Sequence, residues 1–220
     1  MKASEFSLEF DVLYNNIMSD VAPGLNAYEK SVFLTKAQEA LVLQLYNGNT
    51  NSFEVGEIDR KFLSNLVKEV APLYMSSTTK NSLLYTSYKL PEDHLFTTYE
   101  YVNSDGESCS SDGVDIIPTR LDELRHYIRN PFKGIKANNI LRLDKEGDVL
   151  LVSKQPVKDY SIYYLRKPYP IILEDLEEEG VSINGKTKPL SEEEVCELPD
   201  ILHRQIIIQA VQMAKLVWSS

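Results

Sequence analysis

Cysteine and glycine are both scarce in this chain of 220 residues. Its two cysteines, Cys109 and Cys196, lie 87 positions apart, which fits neither a disulfide framework nor the ligand spacing of a zinc site. Both are therefore predicted to be free thiols. The nine glycines form neither a dinucleotide-binding fingerprint nor a phosphate-binding loop. The sequence predicts no metal site and no cofactor.

Long apolar runs are also missing. No stretch approaches the roughly 18 uninterrupted apolar residues of a membrane-spanning helix. The first residues, MKASEFSLEFDVLY, carry Glu5, Glu9 and Asp11 where a signal peptide would be apolar. We therefore expect no membrane contact, and a protein that stays in a cytoplasm-like compartment unless a larger particle carries it out.

Basic residues are outnumbered, with 23 Lys and Arg against 33 Asp and Glu and a net charge of −10. This balance argues against a general electrostatic grip on nucleic acid or on an anionic membrane. Ten acidic residues and only two lysines lie between positions 171 and 200. The acidic run of this segment consists of Glu174, Asp175, Glu177, Glu178 and Glu179. The run is either a solvated loop or, if many copies surround one axis, a negative wall that a polyanion passes without sticking.

The ends of the chain are predicted to be helical. Phe6, Phe10, Leu13 and Ile17 follow a helical period after Ser4, and this helix should end near Asp20. Asn26 and Glu29 have the spacing of a capping box, so they should open a second helix that ends at residues 47–49. A third, shorter helix is predicted from Ile58 to near Pro72. Pro199 suits the first turn of a final helix.

The middle of the chain is predicted to be rich in strands because its Tyr, Thr and Leu residues partly alternate. Thr119 is expected to cap a short helix that Pro131 terminates. Residues 144–148 are predicted to form the turn of a hairpin. The predicted strands and apolar runs are 83–90, 94–102, 114–117, 140–143, 149–153 and 160–165. Together, the two ends and the middle give an α+β fold.

The final helix is apolar on more than one side, since Ile207 accompanies the stripe of Leu202, Ile206, Met213 and Val217. Such a helix needs neighbours on more than one side, either from its own chain or from another subunit. The thirteen tyrosines leave a similar choice open. Those in predicted strands either face the core of the sheet or belong to a protein interface.

Residues for catalysis are few. His94, His126 and His203 lie in different predicted elements and match no metal-binding spacing. Ser108, Ser110 and Ser111 lie in a polar loop and not in a nucleophile turn. We therefore expect no catalytic residues. A small hydrolase whose site assembles from the three histidines and distant carboxylates is retained only as an alternative.

Three segments carry a family resemblance. The stretches FDVLYNNIMSDVAPGLNAYEKSVFLTKAQEALVLQLYNG, IYYLRKPYPIIL and CELPDILHRQIIIQAVQMAKL resemble the ring, or head-to-tail connector, proteins of crAss-like short-tailed bacteriophages. A strand that ends in YLRKP, followed by a helix that starts at ELPD, is similar to the adaptor proteins that dock under the portal of podovirus-like phages. The matching residues are Tyr164, Leu165, Arg166, Lys167 and Pro168, with Glu197 to Asp200. The long acidic segment between them departs from this pattern.

The resemblance implies an α+β fold in which amino- and carboxy-terminal helices form a bundle with an intervening β-rich module. The expected parts are 1–75 and 199–220 for the bundle, 76–170 for the β-rich module with one short helix, and 171–198 for an acidic loop segment. The best candidates for the bundle core and for subunit or partner contact are Phe6, Phe10, Leu13, Ile17, Leu202, Ile206, Ile207, Met213, Val217 and Trp218.

The implied function is that of a non-enzymatic virion protein of the phage neck. Its expected partners are further copies of itself in a dodecameric ring, the portal protein, and other ring and tail proteins. Genomic DNA would pass through the lumen without specific binding. The acidic run is a candidate lumen-facing surface, but the resemblance does not imply whether it faces the lumen or the outside. The alternative is an acidic interaction protein that mimics DNA through the acidic run and residues 192–194.

Overall fold

The computed structural model describes residues 1–17, 24–47, 59–103, 114–130, 135, 139–145, 147–157, 159–178, 180–191 and 193–218. They divide into two compact units, which we call the helical unit (Met1–Leu66 with Lys167–Ser220) and the sheet unit (Val67–Arg166). The elements are α1 (Ala3–Ile17), α2 (Ala27–Asn47), β1 (Val67–Val70), β2 (Leu73–Lys80), β3 (Leu83–Lys89), β4 (His94–Asn103), β5 (Asp115–Pro118), α3 (Leu121–Arg129), β6 (Asn139–Lys145), β7 (Asp148–Ser153), β8 (Asp159–Arg166) and α4 (Asp200–Trp218).

The start of α2 confirms the predicted capping box. The backbone amide of Glu29 donates to Asn26 Oδ1 at 2.7 Å, and the backbone amide of Asn26 donates to Glu29 Oε2 at 2.9 Å. These bonds satisfy amides that have no partner within the helix. The helix ends at Asn47, where the sequence predicts its end. The predicted end of α1 at Asp20 lies outside the described residues.

In the helical unit, α4 contacts both α1 and α2. The side chains that these helices bury completely include Phe6 and Phe10 of α1, Leu34 of α2, and Ile206 and Ile207 of α4. Apolar burial of this kind provides most of the stability of short helices. Whether the terminal helices are arranged as a bundle stays a prediction. Among the described residues, no helix combines the length and apolarity needed to cross a membrane.

The predicted third helix is partly wrong. Residues 59–63 are helical and a 3-10 turn covers Ser64–Leu66, but the backbone then becomes β1 instead of continuing to Pro72. Val67 pairs with Leu165 and Val70 with Ile162 in an antiparallel ladder with β8. The two β-branched valines suit this pairing better than a helix. The predicted start at Ile58 lies outside the described residues.

The prediction also missed β2. Every residue of β2 is exposed, so the strand has no alternation between buried and exposed side chains that would identify it. It pairs with β3 through a two-residue turn at Asn81 and Ser82, both of which have positive φ. This is the turn geometry that matches the twist of a hairpin. The predicted strands at 83–90, 94–102 and 160–165 are confirmed as β3, β4 and β8.

The sheet unit contains two sheets. One has the antiparallel order β1-β8-β4, and the other has the order β2-β3-β7-β6-β5, in which β5 runs parallel to β6. A shared core joins them, with Tyr88 and Leu151 from the larger sheet and Tyr160 and Ile162 from the smaller one. Leu124 and Tyr127 of α3 pack on a second cluster that includes Leu141. The strands β3, β6 and β7 of the larger sheet are therefore packed on both faces, whereas β2 is exposed.

The predicted cap of α3 is wrong. The residue at the N-cap position is Arg120, and no side chain makes a capping hydrogen bond there. The hydroxyl of Thr119 instead donates to the carbonyl of Ile117 at 3.1 Å, so it is not available to the helix. The helix ends at Arg129, and Asn130 is extended, as is usual for the residue before a proline. Pro131 itself lies outside the described residues.

Candidate interaction surfaces

Each of the three histidines is held by different neighbours. The His94 ring stacks on Tyr164 with centroids 5.5 Å apart, and its Nε2 lies 3.0 Å from Thr97 Oγ1. Buried His203 donates from Nε2 to the Leu198 carbonyl at 2.8 Å. Burial lowers the pKa of both histidines. His126 is exposed on α3. The structure gives these histidines no common site.

The groups that could bind metal or act as nucleophiles are also dispersed. Burial raises the pKa of the Cys196 thiol to about 12, so the reactive thiolate is absent near neutral pH. Cys196 is free, as predicted, whereas Cys109 lies outside the described residues, as do Ser108 and Ser110. In the part of the chain that the structure describes, no three His, Cys, Asp or Glu side chains are placed to hold a metal ion.

A charged network that the sequence did not predict joins the two sheets of the sheet unit. Arg142 on β6 contacts Glu100 on β4 at 3.1 Å, and the Tyr160 hydroxyl donates to Glu100 at 2.8 Å. The side chains of Arg142 and Glu100 are only 13% and 10% exposed. Burial acts to lower the pKa of Arg142, but the attraction of Glu100 and Asp144 outweighs it and the pKa is raised. The network is a structural connection between the sheets because the two charges are paired, although the buried Nε of Arg142 has no hydrogen-bond partner among the described residues.

The tyrosines of the strands fall into two groups. Tyr88, Tyr160 and Tyr164 are buried in the core. Tyr99, Tyr101 and Tyr163 instead form a cluster whose ring centroids are 6.1 to 6.3 Å apart, and Tyr99 is 61% exposed. The hydroxyl of Tyr101 donates to Glu69 at 2.8 Å. Both predicted roles for tyrosine therefore have candidates, and the second group is the one available for protein contact.

The ten predicted contact residues of the terminal helices have different environments. Phe6, Phe10, Leu202, Ile206 and Ile207 are buried within one chain, as expected for a core. Leu13 and Met213 are half-buried, and Val217 is exposed. The side chains of Ile17 and Trp218 lie outside the described part of the structure. Contact of any of these residues with a second subunit stays a prediction.

The outer face of α4 combines apolar and basic side chains. Ile201 is 73% exposed and Ile208 is 41% exposed. Arg204 and Lys215 lie on the same face, and within the described residues neither makes an ion pair. We call this surface the α4 stripe, which consists of Ile201, Arg204, Gln205, Ile208, Gln212 and Lys215.

The acidic segment, residues 171–198, is anchored on α2 although its described residues form neither a helix nor a strand. The amide of Ile171 donates to Thr35 Oγ1 at 3.1 Å, and the amide of Leu173 donates to Ser31 Oγ at 3.0 Å. Ile172, Leu176 and Ile183 form a buried cluster against Tyr28 and Val32 of α2. The segment is therefore a packed part of the helical unit and not merely a solvated loop.

This anchoring presents the acidic run on the surface. Glu174, Asp175, Glu177 and Glu178 are exposed, and Glu179 lies outside the described residues. Lys188 Nζ lies 2.8 Å from Glu177 and 3.8 Å from Asp175. Among the described residues, Glu174 and Glu178 have no such partner. Among the described residues, the run therefore keeps unneutralised negative charge at Glu174 and Glu178, on either side of the carboxylates that Lys188 contacts.

The two short motifs of the resemblance have structural contacts. Tyr164 is buried, its hydroxyl donates to Asp93 at 3.0 Å, and burial raises its pKa to about 12. Beyond the YLRKP motif, the amide of Tyr169 donates to Glu197 of the ELPD motif at 2.8 Å. This bond connects the end of the strand motif to the approach to α4, which gives both motifs a structural role.

Comparison with known proteins gives matches along almost the whole chain. The sequence profile of a family described as phage tail ring protein 3/4 matches residues 1–219. A protein named Ring protein 3, from Bacteroides phage crAss001, is 38% identical over 227 aligned residues, which cover 97% of this chain and 95% of that protein. A second crAss001 protein, named Ring protein 4/5, is 33% identical over 233 aligned residues, with 99% and 94% coverage.

Proposed function

Because the chain belongs to the phage tail ring protein 3/4 family, we propose that it is a structural subunit of the phage neck, twelve copies of which close into a ring between portal and tail. The observation that carries this proposal is the match of nearly the full chain to two ring proteins of one phage. Nothing in the described site requires catalysis, and the proposed function is not enzymatic. The family membership identifies a virion ring protein, and the neck position, the copy number and the portal contact are parts of the proposal.

The charge of the chain suits a ring through which DNA passes. DNA carries a high density of phosphate charge, and a protein with a net charge of −10 repels it over the range at which charges are not screened. We propose that the genome moves through the lumen without specific binding. The proposed repulsion comes from the net negative charge of the whole chain and does not depend on one surface.

Ring closure requires each copy to use two different surfaces, because the contact between neighbours in a cyclic ring is head to tail. Permanent assemblies of this kind often bury more than about 2,000 Å² per contact. We propose that the terminal helices supply the core of the subunit and part of this contact. Exposed apolar side chains on α1 and α4, such as Leu8 and Ile208, support this because they are not covered within one chain.

A mass measurement tests the proposed function. The full chain is purified alone and together with its portal protein, and each sample is examined by native mass spectrometry. The expected result is a complex that contains twelve copies of this chain per portal ring. A chain that remains monomeric in both samples and does not bind the portal would overturn the proposal.

A further inference from the structure

The α4 stripe has the composition of a contact surface. Its Ile201 and Ile208 expose apolar area, and Arg204 and Lys215 carry positive charge that no described residue of the chain neutralises. The opposite face of α4 is buried against the other helices of the helical unit, including Ile206 and Ile207. The stripe therefore lies on the outside of the unit, where a partner with negative charge would fit it.

The acidic run lies on the other side of α2. The segment that carries it is held by Ser31 and Thr35, whereas Gln209 of α4 donates to Gln44 at 3.4 Å. Thr35 and Gln44 are nine residues apart, which is about two and a half turns, so they lie on opposite faces of α2. The elements that carry the basic stripe and the acidic run are thus attached to opposite faces of α2, so the two surfaces are distinct, as a head-to-tail contact requires.

We propose that the α4 stripe of one copy docks against the acidic run of the next copy around the ring, which rests on the proposed ring function. Arg204 and Lys215 would face Glu174 and Glu178 of the neighbour, and Ile201 and Ile208 would be covered by the contact. This gives the acidic run a position between subunits, in place of the solvated and lumen-facing positions considered from the sequence.

The basic charges of the α4 stripe lie well apart along the helix. Arg204 and Lys215 are eleven residues apart in a helix, which separates them by about 16 Å along its axis. Glu174 and Glu178 are four residues apart in the acidic run, on either side of the two carboxylates that Lys188 contacts. Each surface carries its uncompensated charges near its ends. We therefore expect two separate charge pairs in the proposed contact.

Charge reversal on each surface tests the contact. One variant combines Arg204→Glu with Lys215→Glu, a second combines Glu174→Lys with Glu178→Lys, and a third carries all four changes. The control combines Lys80→Glu with Lys89→Glu, which makes the same charge change at exposed positions of the sheet unit. Self-association of the full chain is measured by sedimentation velocity at about 0.1 M and about 0.5 M salt, where screening differs, and circular dichroism checks folding.

The docking predicts that each reversal alone weakens self-association by at least about tenfold, because two attractive charge pairs become repulsive. The variant with all four substitutions should self-associate with an affinity within about threefold of that of the unmodified chain. The affinity of the control variant should not change. Unmodified association should be weaker at the higher salt concentration.

The contrary outcomes separate the docking from the ring function. The docking is wrong and the ring function stands if the unmodified chain forms rings and the reversals do not weaken them. The same holds if combining all four substitutions does not restore self-association. If the reversals spare self-association but remove portal binding, the stripe binds a different protein and the docking is also wrong. If the unmodified chain stays monomeric at every concentration and with the portal, the ring function fails and the docking fails with it.

Discussion

The two units of the chain differ in net charge. The sheet unit has thirteen basic and fourteen acidic residues and a net charge of −1, and it buries the Arg142–Glu100 pair between its sheets. The helical unit has ten basic and nineteen acidic residues, so it carries −9 of the total of −10. The sheet unit has nearly equal numbers of basic and acidic residues, whereas in the helical unit Glu174, Glu178, Arg204 and Lys215 make no ion pair with any described residue. The difference shows that the excess negative charge of the chain belongs to the helical unit, which is the unit that we propose carries the charged contacts of assembly.

The largest effect should come from breaking the internal balance of the sheet unit. Arg142→Met removes the positive partner of a buried ion pair. The carboxylate of Glu100 then keeps only its hydrogen bond from Tyr160, so we expect the free energy of unfolding to fall by about 3 kcal/mol. Urea denaturation gives the change, and hydrogen exchange should locate it in residues 67–166. Arg125→Met, at an exposed position of α3, is the matched control and should change stability by less than about 0.5 kcal/mol.

A second substitution can distinguish an ion pair from simple packing. In the double variant Arg142→Met with Glu100→Gln, no uncompensated charge remains, and at least about 1 kcal/mol of the loss should return. If the double variant is less stable than Arg142→Met by the full cost of Glu100→Gln alone, the two side chains are not coupled. The sheet unit would then not hold its charges in balance in the way described.

Substitutions at two nearby isoleucines of α4 allow the buried and exposed faces of this helix to be compared. Ile206 is fully buried, so Ile206→Ala should cost about 3 kcal/mol of stability. Ile208 is 41% exposed, so Ile208→Ala should cost less than about 1 kcal/mol and should weaken self-association instead. Thermal melts and sedimentation measure the two properties. The assignment of faces would be wrong if Ile208→Ala destabilised the chain as much as Ile206→Ala.

The smallest effect concerns the turn between β2 and β3. Ser82 has a φ of 62°, a conformation that glycine adopts at lower cost, so Ser82→Gly should stabilise the sheet unit by about 0.5 kcal/mol. The same substitution in the exposed strand, Ser76→Gly, should instead destabilise it by a similar amount because glycine loses more entropy there. Chemical denaturation of both variants checks the signs. Equal signs would contradict the turn geometry.

Local sequence patterns were sufficient to predict the features that depend on residues close together in the chain. The capping box at Asn26 and Glu29 and the strand β8 are examples, since each depends on a short pattern. The sequence could not reveal β2, whose side chains are exposed on both faces, because it has no hydrophobic period. It also placed residues 67–70 in a helix, because their pairing with β8 involves residues almost one hundred positions away.

The candidate interaction surfaces were harder to predict from the sequence than the secondary structure, because they depend on tertiary contacts. The sequence indicated that α4 is apolar on more than one side, but only the structure shows that Ile207 is buried while the adjacent Ile208 is exposed. The Arg142–Glu100 pair joins residues 42 positions apart and has no local signature. The anchoring of the acidic segment by Ser31 and Thr35 likewise depends on residues that are distant in sequence. Tertiary contacts of this kind determine which side chains remain exposed for contact with another protein.

A reconstruction of the neck of the assembled particle by electron cryomicroscopy tests the central claim most directly. The account predicts a closed ring of twelve copies between portal and tail, with α4 of each copy against residues 174–178 of the next. A neck without density for this chain, or a particle that carries the chain outside any ring, would contradict it.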